Sequence, residues 1–174
     1  AYGLRTGLMT SPHLVRVNER IVIDGAPISN RALAENWADI RPFIEMVDAE
    51  LIANAEATLT YFEALTVLAF AAFADAPIDV AVLEVGMGGE WDSTNVADGQ
   101  VAVIAPIALD HTQRLGSTVE EIARTKSGII KPVASVVSAE QVPAALSEIE
   151  RAVELTESTL AVEGGTTGST TFRP

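Results

Sequence analysis

The chain has 174 residues, 48% hydrophobic but only 5% aromatic, with a formal net charge of −13. That length supports a domain with a sizeable, mainly aliphatic core. The acidity argues against nucleic acid and anionic membrane surfaces, both of which demand a basic face. The absence of cysteine excludes disulfides, thiolate metal sites and cysteine nucleophiles. No apolar run reaches the ~18 residues of a membrane helix. No basic-then-apolar leader stands at the start, so the expected compartment is the cytoplasm. A nucleotide bound to so acidic a chain would need a divalent cation to offset its phosphates.

In chain order, Leu4 to Thr10 reads as a strand that stops at Ser11-Pro12-His13, because proline lacks the ladder donor. Val15 to Ile28 alternates polar and β-branched residues around Asp24-Gly25, the pattern of a hairpin turning at that dipeptide. Ser29 or Asn30 then caps a long helix to about Ile52, with a bend expected at Pro42. Its apolar stripe is Leu33, Trp37, Ile40, Ile44, Val47 and Leu51. Thr60, with Glu63 completing a capping box, opens a second helix to about Phe73.

Val80 to Val85 is a short β-branched run between Pro77 and Gly86, the signature of a strand buried on both faces. Ser93 to Asp98 reads as a loop and Val101 to Ala105 as another buried strand. Ser117 and Glu120 have capping-box spacing and start a helix that runs through Arg124 to about Gly128. A strand over Val133 to Val137, a helix over Pro143 to Glu157 and a last strand over Leu160 to Val162 complete the pattern. The tail from Gly164 is Gly, Thr and Ser, and is expected to be flexible. Strands alternating with helices imply βαβ units, hence an α/β fold with a mostly parallel sheet flanked by helices.

Ligands of open α/β sheets collect outside the carboxyl ends of the strands. Glu84 stands there, followed by Gly86, Gly88 and Gly89, and is a candidate for a metal or phosphate site. A structural arginine partner would explain it equally well, since a buried carboxylate must be satisfied. Ser11 and His111 stand at comparable strand ends. Hydroxyl, carboxylate and imidazole together can hold a hard divalent ion, if the strands are neighbours. The chain has no Gly-x-Ser-x-Gly elbow, no His-Glu-x-x-His, and no dinucleotide fingerprint after Gly86.

Several segments together resemble the folylpolyglutamate synthase/dihydrofolate synthase family of the Mur ligase superfamily. They are Gly7 through Ile21, which contains Ser-Pro-His and Asn-Glu-Arg-Ile; Ile23-Asp-Gly; Phe62-Glu-Ala-Leu-Thr; Glu84-Val-Gly-Met-Gly-Gly with Asp92-Ser-Thr-Asn; Leu109-Asp-His with Leu115-Gly; and Lys126-Ser-Gly-Ile-Ile-Lys. The family is P-loop NTPase-like in its central domain. It joins L-glutamate to dihydropteroate or tetrahydrofolate, with ATP as substrate and Mg²⁺ as cofactor, through an acyl phosphate. The resemblance implies that Ser11, Glu84 and His111 ligate magnesium, joined by Lys126 if it is carbamylated. It makes Lys126 and His111 the catalytic residues, and Phe62 and Asp92 contacts to the pterin. Beside these stand plainer readings: Lys126 as a helix-end lysine favoured by the dipole, and Phe62 as a core aromatic.

The resemblance also implies a cytoplasmic monomer whose partners are ATP, L-glutamate and a pterin or folate. Residues 1–163 would be a partial ATP-binding central domain. Its phosphate loop, with the first strand before it, is expected to be absent, because no Gly-Lys-Ser/Thr occurs here, and by the same resemblance so is the C-terminal ligase domain. The 174 residues alone are therefore expected not to turn over. Glu90-Trp91 and Thr125 depart from the family pattern of Arg-Leu and an acid at those places. The alternatives are another Mur-type amino-acid ligase, or a non-catalytic binding module that retains the sheet.

Overall fold

The computed structural model describes residues 2–164, so the expected flexible tail from 165 onward lies outside the described residues. Two compact units follow one another, Ala1–Gly86 and Met87–Pro174, each with its own apolar core. No described helix is long and apolar enough to cross a membrane.

The first unit holds a four-stranded sheet in the order β3-β2-β1-β4. Its strands are β1 (Thr6–Met9), β2 (Ile21–Ile23), β3 (Ala26–Pro27) and β4 (Val80–Leu83). The Asp24-Gly25 hairpin forms as expected, with φ of 50° and 81° at the two turn residues. Two successive positive φ values are what a primed turn requires, and aspartate and glycine tolerate them best. The segment before β2 differs from the expected strand: Val17–Arg20 is a 3₁₀ turn. There the Glu19 carboxylate accepts the backbone N–H groups of Leu14, Val15 and Arg16 and so curls the chain.

Helix α1 (Asn30–Ala53) starts where Ser29 accepts the Ala32 amide, and it runs on through Pro42. Its buried face is shifted from the expected stripe. Asn36 and Ile40 are buried and Leu33 and Ile44 pack on the core, whereas Trp37 and Val47 are 39% and 37% exposed. Asn36 is accommodated by donating its side-chain amide to the Ala32 carbonyl. Helix α2 (Tyr61–Asp75) has the expected reciprocal Thr60–Glu63 cap. It supplies Leu65, Leu68, Ala69, Ala72 and Phe73 to a core closed by Met9 and Ile21. Met9 and Ile21 are fully buried, each worth about 1.5–3 kcal/mol by area.

The β4 run is not buried on both faces: it ends the strand order, and Val80 and Val82 are 40% and 53% exposed.

The second unit is a parallel sheet, β5-β6-β7, of β5 (Val101–Ile104), β6 (Ser135–Ser138) and β7 (Thr159–Val162). Burial alternates along β5, so the expected two-sided burial is again replaced by one core face. Ala102 and Ile104 point into the core, while Val101 and Val103 are 60% and 69% exposed. A short helix α3 (Thr112–Leu115), not foreseen from the sequence, precedes α4 (Val119–Ser127). The cap of α4 is Thr118 with Glu121, one residue beyond the expected Ser117–Glu120 pair. Glu121 takes the amides of both Ser117 and Thr118, which is why it, and not Glu120, closes the box. Helix α5 (Pro143–Leu155) packs Ala145 and Ile149 against Ile122, Ala123 and Val136.

Arg124 of α4 forks onto Glu148 of α5 at 3.0 and 3.1 Å, and Arg151 adds a third bond to the same carboxylate.

A Cβ at Gly7 would sit 2.6 Å from Ile78 Cδ1 and 2.8 Å from Phe73 Cδ1. Gly7→Val should therefore cost about 1–3 kcal/mol, read as a lower urea midpoint. The Arg124 hydrogen bond first, and then the charges of both arginines, hold the Glu148 carboxyl below its ordinary 4.5. That contribution is complete above the unfolded value and is lost as pH falls through the lower folded one. Glu148→Gln should accordingly flatten the fall in thermal midpoint on acidification, whereas equal falls in both proteins would count against the pairing.

Candidate functional site

Strands β1 and β4 run parallel with Met9 opposite Leu83, so the chain leaves both at the same end of the sheet. The ladder continues one step further, the Glu84 amide donating to the Met9 carbonyl at 2.9 Å. The Ser11 amide then donates to Glu84 Oε2 at 2.8 Å. The neighbourhood that the sequence left conditional therefore exists for Ser11 and Glu84. Glu84 is solvent-exposed, so the burial penalty that suggested a compensating arginine does not apply. The contact is made by the Ser11 backbone amide; hydroxyl and carboxylate oxygens, the groups these two residues carry, are hard donors of the kind magnesium takes.

The Ser11–Pro12 peptide is cis. Phe62, on the first turn of α2, packs against the core of the first unit, in keeping with the plainer reading of this residue.

The remaining expected residues lie in the second unit. Asp92 is an organiser of the glycine turn: its carboxylate accepts from the Met87 amide at 2.9 Å, and from the Thr94 amide and hydroxyl at 3.0 and 2.6 Å. The turn is pressed onto the end of α4. The Glu90 amide donates to the Thr125 carbonyl, and a Cβ on Gly89 would lie 2.7 Å from the carbonyl oxygens of Thr125 and Lys126. Those oxygens are backbone and cannot step aside, so only glycine fits.

Lys126 itself is half-buried in the last turn of α4. Beside it, the Ser127 hydroxyl is buried without a hydrogen-bond partner among the described residues.

His111 caps α3 with φ +48°, its Nε2 3.6 Å from Asp110 Oδ2. It lines a cavity of about 280 Å³ with Met87, Thr112, Gln113 and Arg114.

Among the described residues no three His, Asp or Glu side chains gather closely enough to hold a metal. A magnesium ion here would depend on the Ser11 hydroxyl as well as on Glu84.

Two residues were not singled out from the sequence although their motifs were. Asn95 donates to the carbonyls of Glu90 and Gly128, and Lys131 donates to the Asn95 carbonyl at 2.7 Å, so together they lock the glycine turn to the segment after α4. The signal was present in Asp92-Ser-Thr-Asn and Lys126-Ser-Gly-Ile-Ile-Lys, which end on these two residues.

Comparison with known proteins agrees with the motifs. The family model described as Mur ligase middle domain matches residues 32–157. A dihydrofolate synthase/folylpolyglutamate synthase of Mycobacterium tuberculosis is 51% identical over 129 residues, 72% of this chain and 26% of that protein. The folylpolyglutamate synthase of Lacticaseibacillus casei is 42% identical over 158 residues, 91% of this chain and 36% of its own length. Among solved structures, the Mycobacterium tuberculosis folylpolyglutamate synthase complexed with ADP and AMPPCP superposes with a TM-score of 0.88 and 43% identity, over 94% of this chain and 37% of that one. The chain thus spans about a quarter to a third of the length of these curated relatives. With its motifs, its parallel strands and this match in agreement, the chain belongs to the Mur ligase middle domain family.

Proposed function

We propose that these residues form the ATP-binding central domain of a ligase that adds L-glutamate to dihydropteroate, to tetrahydrofolate or its polyglutamates, or to both. The observation that carries this reading is the juxtaposition of Ser11 and Glu84 at the ends of adjacent parallel strands, in a chain with dihydrofolate and folylpolyglutamate synthases as relatives. The domain assigned to this role is residues 1–163, working in a cytoplasmic monomer.

In the reaction, a pterin carboxylate oxygen attacks the γ-phosphorus of ATP and the bond to the bridging oxygen breaks, releasing ADP. The glutamate amine then attacks the acyl carbon, loses a proton and expels inorganic phosphate. Very little of this chemistry asks for covalent help from the protein, which must position the reactants, screen charge and exclude water. Ser11 and Glu84 are the oxygen donors assigned to magnesium, and that ion when bound screens the phosphate charge. His111 and Lys126, the latter as its carbamate, are assigned by the family resemblance to metal binding and to catalysis. Asp92 is assigned to the pterin, since a carboxylate accepts protons from ring amino groups, and Phe62 to a stacking contact. The bonds Asp92 already makes to Met87 and Thr94 give it a second task, shaping the turn it stands on.

Phosphate release from MgATP, in the longest native polypeptide carrying these residues, should require both L-glutamate and a pterin acid. Release that ignores the pterin would overturn the assignment. Ser11→Ala and Glu84→Gln should each lower kcat/KM by about a hundredfold or more, or upwards of about 2.7 kcal/mol of transition-state stabilisation. Gly89→Ala should reduce activity by separating the glycine turn from the end of α4, with little change in the urea transition of the first unit.

A further inference from the structure

The Asn18-Glu19-Arg20 motif carries no role in the site as described, yet it holds the loop on which Ser11 sits. Thr10 to Arg20 joins β1 to β2. The loop is closed at its base by the Thr10 amide on the Arg20 carbonyl at 3.0 Å and by the Thr10 hydroxyl on the Glu19 carbonyl at 3.2 Å. Its far end has no burial to order it, since Leu14 and Val15 are 91% and 81% exposed.

Order there comes from one carboxylate. Glu19 Oε2 accepts the Leu14 amide at 2.8 Å, and Oε1 accepts those of Val15 and Arg16 at 3.1 and 2.8 Å. These donors, the Leu14 amide foremost, hold the Glu19 carboxyl below its ordinary value, as expected for an anion met by several N–H groups. The next residue completes the frame. Arg20 Nε donates to His13 Nδ1 at 2.8 Å, and its guanidinium lies over the Tyr61 ring, 5.6 Å from the centroid. Thr10 and His13, on either side of Ser11-Pro12, are thus both tied to Glu19-Arg20.

We infer that Glu19 is a positioning residue for Ser11, fixing through the amides of residues 14–16 the loop that holds Ser11 against Glu84. The inference rests on the magnesium role proposed for Ser11. Preorganisation of this kind matters because a donor held in place spends no binding energy on ordering its loop.

The test uses Glu19→Ala and the milder Glu19→Gln in the longest native polypeptide, with Ser11→Ala alongside. Amide hydrogen exchange at residues 14–16 reads the clamp, and the Mg²⁺ concentration for half-maximal pterin-dependent phosphate release reads its consequence. In Glu19→Ala the three amides should lose protection, and the Mg²⁺ requirement should rise about 10- to 100-fold, the range for partners that orient a metal ligand. KM for L-glutamate should stay within about twofold. Glu19→Gln, keeping one acceptor oxygen, should fall between. A merely structural role would lower kcat or the thermal midpoint without moving the Mg²⁺ requirement.

Freed amides with an unchanged Mg²⁺ requirement would overturn the positioning role, as would amides that stay protected. Loss of the cooperative unfolding transition in both variants would do so too, since Glu19 would then hold the fold and not the loop. Failure of the underlying reading looks different: Ser11→Ala would itself leave the Mg²⁺ requirement untouched.

Discussion

The first unit depends on the parallel pairing of β1 with β4, from Thr6 opposite Val80 to Met9 opposite Leu83. Parallel strands cannot be joined by a tight turn, so everything between them, a hairpin and two helices, serves as the crossover. Both ends of β1 are pinned by carboxylates. At its start, the Arg5 amide donates to Asp79 and the Thr6 amide to Asp24, while the Arg5 guanidinium meets Asp24 at 3.2 Å. At its finish, Glu84 takes the Ser11 amide. The acids at the start fix register; the acid at the finish stands where a ligand is expected. Identical chemistry therefore does structural work at one end of the strand and is available for function at the other.

The second unit solves a different problem, holding a buried glycine turn in one shape against the end of a helix. It does so with backbone carbonyls at the end of α4 and with the side chains of Asp92, Asn95 and Lys131. Close approach of two backbones requires that no Cβ intervene at Gly89, while its neighbour Gly88 is needed for its φ of +73°. Helix α4 is itself steadied by Arg124 on Glu148 of α5, so the position of the turn is tied to packing between helices.

Much of this was legible in the sequence, and the misses have common causes. Helix starts were readable because Ser29 and Thr60 announce them locally, and the Asp24-Gly25 turn because its backbone demands those residue types. The one-residue error at Ser117–Glu120 arose where two hydroxyls and two acids stand side by side and only geometry selects Thr118 and Glu121. Burial was harder to read. Val80 and Val82 have the composition of a doubly covered strand, but composition records what a strand tolerates and not what lies beside it. In the candidate site, Ser11 and Glu84 could be named but not joined, because their adjacency depends on a pairing 73 residues apart in sequence. Glu19 escaped because an acid accepting three backbone amides looks, in sequence, like any other acid.

The valines left open on β4 and β5 have a consequence for handling the protein. Among the described residues each strand ends its sheet's order, and its four residues include neither the lysine nor the proline by which sheet edges are usually blunted. The outer side of a terminal strand is a template for any extended chain that meets it, including another copy of the same four residues. What opposes such pairing is the charge of −13 spread over the rest of the sequence, and that repulsion fades as salt rises or as pH approaches the carboxylate range. Low ionic strength and neutral or higher pH are thus the conditions in which these strands stay apart.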